Sequence, residues 1–129
     1  MSMAAAPAAG TPRARRTIAV SVRDEHNEPL PGAKIIVRVS GVQVATIFSS
    51  GNSHIELSDR VRQVELLATV GAETGQLRLT STQQSATFIF NRVSLPSVFA
   101  KPGGRCPDGT EGQPCVTCII GDESIRVCG

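Results

Sequence analysis

From Arg16 onward apolar residues recur at every second position, the period of a strand whose alternate side chains face opposite sides of a sheet. Thr17 to Val22 places Ile18, Val20 and Val22 on one face and Thr17, Ala19 and Ser21 on the other. Ala33 to Ser40 repeats the pattern, with Ile35, Val37 and Val39 opposite Lys34, Ile36 and Arg38. A third run, Val42 to Phe48, follows the two-residue break Ser40-Gly41, which predicts a tight hairpin. His54 to Leu57 directs Ile55 and Leu57 inward and His54 and Glu56 outward. Val61 to Val70 reads as a longer strand with Val64, Leu66 and Ala68 on one face. A helix over 58–69, capped by Asp59, is the competing reading, but its apolar residues fit a 3.6-residue period only loosely. Gly75 to Ser81, carrying Leu77 and Leu79, and Ala86 to Phe90, with Phe88 and Phe90 on one face, complete seven strands. Turn signals about every 8–12 residues predict an all-β, seven-stranded sandwich or small barrel.

The turn between the first two strands is the most sharply specified. Asp24 and Asn27 have short side chains that bond nearby amides and tolerate left-handed backbone angles. Pro29 and Pro31 fix φ and remove two amide donors, so Glu28-Pro29-Leu30-Pro31 cannot lie inside a sheet. Gly32 gives a permissive backbone where the chain re-enters a strand.

Val20-Ser21-Val22-Arg23-Asp24, followed by Glu28-Pro29-Leu30-Pro31-Gly32-Ala33-Lys34-Ile35-Ile36-Val37, resembles the opening of carboxypeptidase regulatory-like domains. These belong to the transthyretin-like (prealbumin-like), Ig-like β-sandwiches. Val61 to Ala68 and Ala86 to Phe90 also fall where that family has strands, and the similarity spans about 16–91. The resemblance implies a fold and is almost silent about activity. Asn27 stands where the family usually has Gly, a tolerable exchange because Asn visits left-handed angles. Ser50-Gly51-Asn52-Ser53 replaces an acidic turn, which weakens a calcium site there. An enzymatic branch of the fold ends in Tyr-Arg-Gly-Ser, and this chain contains no Tyr.

With no Trp, no Tyr and four Phe in 129 residues, Val, Ile, Leu and Ala must supply nearly all the burial. The net charge is +2, and the first sixteen residues hold Arg13, Arg15 and Arg16 with no acid. The remainder is close to balanced, which gives no reason to expect a nucleic-acid groove, and no aromatic platform supports one. No apolar run approaches the ~20 residues of a membrane span. The Ala/Pro-rich start is wrong for a secretory signal because its basic residues follow the Ala stretch. A bacterial cytoplasmic location is the default expectation, replaced by secretion if the cysteines are oxidised. The expected organisation is a disordered basic arm over 1–15, a sandwich over 16–92, a linker over 93–105 and a cysteine-rich appendage over 106–129.

Cys106, Cys115, Cys118 and Cys128 all lie in that appendage, spaced C-x8-C-x2-C-x9-C. A segment so rich in Gly and Pro needs a covalent or metal staple. Three readings stay open. Four thiolates suit one tetrahedral Zn²⁺, although only one C-x2-C knuckle is present. Two disulfides suit an oxidising compartment, with Cys115–Cys118 the least comfortable pair and crossed or nested pairings through Cys106 and Cys128 favoured. A redox-active Cys115/Cys118 pair needs a helix N-terminus or nearby cation, whereas Val116, Thr117, Ile119 and Ile120 read as strand. Val116 to Ile120 and Ile125 to Val127 around Gly121-Asp122-Glu123-Ser124 predict a small hairpin that needs a crosslink, a metal or docking on the sandwich.

His26 and His54 read as surface histidines, and Ser49-Ser50 and Ser81-Thr82 lack a paired base. The expected function is a non-catalytic binding or protein-interaction module with a zinc- or disulfide-stapled C-terminal segment. The alternative is a small thiol- or metal-dependent enzyme or sensor centred on the cysteines.

Overall fold

The structure is a computed structural model that describes residues 15–91 and 101–129. All seven expected strands form: β1 (Arg15–Arg23), β2 (Ala33–Val39), β3 (Val42–Ser49), β4 (Asn52–Ser58), β5 (Val64–Val70), β6 (Glu73–Arg78) and β7 (Ser85–Ile89). Four more follow: β8 (Gly103–Arg105), β9 (Glu111–Gly112), β10 (Cys115–Ile120) and β11 (Glu123–Cys128). The described count is therefore eleven strands, where the pattern predicted seven and a hairpin. They make a five-stranded sheet, β10-β11-β4-β1-β7, and a six-stranded sheet, β6-β5-β2-β3-β8-β9.

Alternation drives the packing. Ile18, Val20 and Val22 of β1, Ile35 and Val37 of β2, Ile55 and Leu57 of β4, and Leu66 and Ala68 of β5 are buried in one core. Segment 61–63 is not helical, and β5 begins at Val64, where the strand alternation starts cleanly. The β2–β3 hairpin turns through Ser40 (φ 52°) and Gly41 (φ 83°). Two successive positive φ angles are what a two-residue turn needs to match strand twist.

The Asp24 turn is built as its residues suggest. Asp24 is buried, and its Oδ1 accepts the amide protons of His26 (2.8 Å) and Glu28 (3.0 Å). Asn27 takes the left-handed angle (φ 63°) and Gly32 follows at φ 94°. Beneath this turn the chain passes from β3 in one sheet to β4 in the other through Gly51 (φ 106°). A Cβ on Gly51 would stand 2.9 Å from Pro29 Cβ and 3.0 Å from the Leu30 amide nitrogen, so the crossover and the proline turn fit together only with glycine. Replacing Asp24 with Ala strands two inward amides and is expected to cost about 2 kcal/mol. A thermal melt checks this, and an unchanged midpoint would mean that other groups hold the turn.

Two expectations about the chain ends are corrected. Arg15 is not part of a loose arm: it lies in β1 with Arg16. Arg16 is buried, and its guanidinium donates to the main-chain carbonyls of Thr80 and Gln83, tying β1 to the 79–84 turn. Burial lowers its pKa from the usual arginine value. The rest of the expected arm, 1–14, the last residue of the expected sandwich, 92, and residues 93–100 of the expected linker lie outside the described residues.

The C-terminal segment is also woven into the sandwich, not appended to it. β8 pairs with β3 (Ile47 opposite Gly104), and β11 pairs with β4 (Val127 opposite Ile55, Ile125 opposite Leu57). Each sheet is extended by this one stretch of chain, which spans the side of the sandwich where β3 and β4 diverge. Val116, Ile125 and Val127 enter the core. Gly104 permits the approach: a Cβ there would lie 2.6 Å from Val127 Cγ2 and 2.8 Å from Val116 Cγ1.

Candidate functional site

Strand geometry decides what the four cysteines do. Cys115 and Cys118 are three residues apart on β10, and an odd spacing on a strand points two side chains to opposite faces. Cys118 turns inward with Val116, while Cys115 turns outward with Thr117 and Ile119. Cys118 bonds Cys106, which follows β8, at a Cα–Cα separation of 5.5 Å. Cys115 bonds Cys128, directly opposite on β11, at 4.1 Å. The Gly129 amide donates to the Pro114 carbonyl (2.9 Å), so Cys115 and Cys128 form the neighbouring non-hydrogen-bonded pair. Such pairs bring Cα atoms closest across an antiparallel ladder.

The pairings are crossed, one of the two arrangements favoured within the disulfide reading, and no free cysteine is present among the described residues. The expected four-thiolate zinc site is not formed, because alternation sends the sulfurs to two sides of a sheet. The C-x2-C redox pair fails for the same reason.

The outer face of the five-stranded sheet collects polar groups around the outward disulfide. β4 lies beside β11, with His54 in register with Cys128 and Glu56 with Arg126. Cys115, Cys128 and His54 thus form one row across three strands, and their ligand-capable atoms lie within 4.8 Å of one another. The next row is Thr117, Arg126 and Glu56. Arg126 Nη1 is 3.2 Å from Glu56 Oε2, and His54 Nε2 is 3.6 Å from the same oxygen. Arg15 extends over the surface to donate to the Ser124 (3.3 Å) and Glu56 (3.2 Å) carbonyls.

Further along β10, Ile119 is 75 % exposed beside a shallow cleft of about 320 Å³. Arg15, Ser58, Asp122, Glu123 and Ser124 also line that cleft. A second cleft lies at the far end of the six-stranded sheet, between the Ser40-Gly41 turn and Arg78. There Glu65 is held below the usual carboxylate range, first by the Gln76 amide and then by the Arg78 and Arg38 guanidinium groups, with burial opposing. Arg78 Nε lies 3.5 Å and Arg38 Nη1 3.6 Å from its oxygens.

No protein-family model, curated protein or solved structure matches this chain.

The sequence places His54 correctly on an outward face but offers no reason to connect it to the cysteines. Only the β4–β11 pairing does that, and no local pattern encodes the pairing of strands so distant in the chain. His26 sits in the exposed Asp24 turn, and the structure brings it to none of the cysteines. Among the described residues, no helix is long and apolar enough to cross a membrane.

Proposed function

We propose that this protein is a non-catalytic, disulfide-stapled β-sandwich that binds a protein partner in an oxidising compartment. The observation that carries this reading is the exposed Ile119, on the outermost described strand of its sheet, beside a cleft rimmed by Arg15, Asp122 and Glu123. An apolar anchor inside a charged rim is the usual anatomy of a protein contact patch. The partner it fits offers an apolar pocket or side chain flanked by charges of both signs.

Two crossed disulfides, one linking the segment after β8 to β10 across the two sheets and one joining the adjacent strands β10 and β11, support the compartment, since such bonds persist mainly outside reducing cytosol. The Asp24–Ala33 motif and its resemblance to carboxypeptidase regulatory-like domains support a transthyretin-like class for the sandwich. The rival reading, a thiol- or metal-dependent sensor, is favoured by one observation: His54 lies against the outward disulfide.

A photo-crosslinker at position 119 is expected to give a discrete protein adduct in the native host, whereas one at exposed Thr82 gives none. Ile119→Asp should then weaken the purified complex by at least about 30-fold while leaving stability within about 0.5 kcal/mol. Equal adducts from both positions, or an affinity indifferent to Ile119→Asp, would remove the support for this patch.

A further inference from the structure

We propose that the Cys115–Cys128 disulfide masks a metal site, which reduction exposes as a Cys115/Cys128/His54 centre for one zinc ion. This does not rest on the protein-binding reading, because it uses a different row of the sheet and no residue of the Ile119 cleft.

The geometry is set by the sheet before any ion arrives. Cys115 and Cys128 share a face and are directly opposed, and His54 is the next residue in the same row. In tetrahedral zinc, bonds of about 2.3 Å to sulfur and 2.0 Å to nitrogen put ligand atoms roughly 3.5–3.8 Å apart. The three atoms here already lie within 4.8 Å of one another. Side-chain rotation covers the remaining ångström or so, and the imidazole has room for it, since the His54 side chain is 42 % exposed. The strands need not move. Half-buried Cys115 gives a reductant access, while Cys106 and Cys118 are both buried.

One neighbour and the ligand count suit the chemistry. The Glu56 carboxylate, 3.6 Å from His54 Nε2, can orient the ring and raise its basicity, as carboxylates behind metal-binding histidines do. Three protein ligands leave the fourth zinc position open.

The switching step balances with a dithiol as reductant. One dithiol sulfur attacks the Cys115–Cys128 bond and the second closes the dithiol into its own disulfide. Two electrons and two hydrogens pass to the cysteines, giving two thiols. Zinc then displaces both thiol protons and takes the neutral imidazole, so uptake is accompanied by release of two protons.

The test is native mass spectrometry with zinc acetate on the full chain, oxidised or reduced by a water-soluble phosphine, which becomes its phosphine oxide by taking oxygen from water as each disulfide yields two thiols. The oxidised chain is expected to hold no zinc and the reduced chain one. His54→Ala should weaken uptake at least tenfold and Cys128→Ser should abolish it. The double variant Cys106→Val/Cys118→Val should retain it, which separates this site from the inner sulfurs. If reduction loosens the fold, one equivalent of zinc should restore the strand signal in circular dichroism, and should fail to do so in His54→Ala. The proposal is overturned if the reduced chain takes up no zinc, if uptake ignores His54→Ala, if it requires Cys106 and Cys118, or if zinc restores nothing.

Discussion

Opening both disulfides is expected to lower the stability of the fold by about 3–6 kcal/mol. Each closes a loop of 12 or 13 residues. Loop-closure entropy assigns about 3 kcal/mol to a loop of that length. The loops overlap because the pairing is crossed, so the two contributions need not add in full. Against a typical total of about 5–15 kcal/mol, the loss is large. Chemical denaturation with and without a phosphine reductant measures it directly. The bonds differ in setting. Cys106–Cys118 packs in the core between the β8 connection and β10, so replacing that pair also leaves a hole. Cys115–Cys128 bridges adjacent strands on the outer face, where the ladder already holds the backbones together. Cys106→Ala/Cys118→Ala should therefore cost more than Cys115→Ala/Cys128→Ala. The reverse order would show that the outer bond does more than clip two paired strands.

Ile125→Ala is expected to cost about 2–5 kcal/mol and to lower the midpoint of one cooperative transition. Ile125 is fully buried, sits opposite Leu57 of β4 and belongs to the same apolar cluster as Ile18, Ile35 and Ile47. The position separates two pictures of the C-terminal segment. If β10 and β11 were a stapled appendage, removing this side chain would loosen the hairpin and leave the sandwich transition where it was. Because β11 lies between β10 and β4 within the sheet, the loss should propagate to the whole domain. Denaturant curves followed by far-ultraviolet circular dichroism decide between them, through a shift of the single midpoint or an additional early phase.

The functional readings rest on features at two ends of one strand. Ile119 and its charged cleft occupy the turn end of β10, and Cys115 with His54 and Glu56 the other. Both face outward from the same sheet. A partner seated at Ile119 would thus approach the disulfide row without needing it. The photo-crosslinking and zinc experiments therefore succeed or fail separately.

Much of the architecture was legible in the chain because alternation at period two is a direct imprint of burial on a sheet. Ile18, Val20 and Val22, or Val64, Leu66 and Ala68, announce their shared face with no knowledge of what they pack against. The Asp24–Gly32 turn was equally readable, since each of its constraints is local: a short acceptor, two fixed φ angles and a left-handed position. β8 was not readable. Gly103 and Gly104 have no side chains, so hydrophobic periodicity passes over them, and it is that lack of a side chain which lets Gly104 fit against Val116 and Val127. The short β9 carries no apolar residue either.

For the candidate site, the sequence by itself indicated that Val116 to Ile120 is a strand, which made Cys115–Cys118 the least comfortable pair. It also determined that His54 and Glu56 point away from the core. Tertiary structure alone decided which cysteine meets which, and that His54 lies beside Cys128. It also decided that the C-terminal stretch completes both sheets, through β8 on β3 and β11 on β4. The physical reason is range: face and turn follow from neighbours along the backbone, whereas strand partners are chosen by burial summed over the whole core.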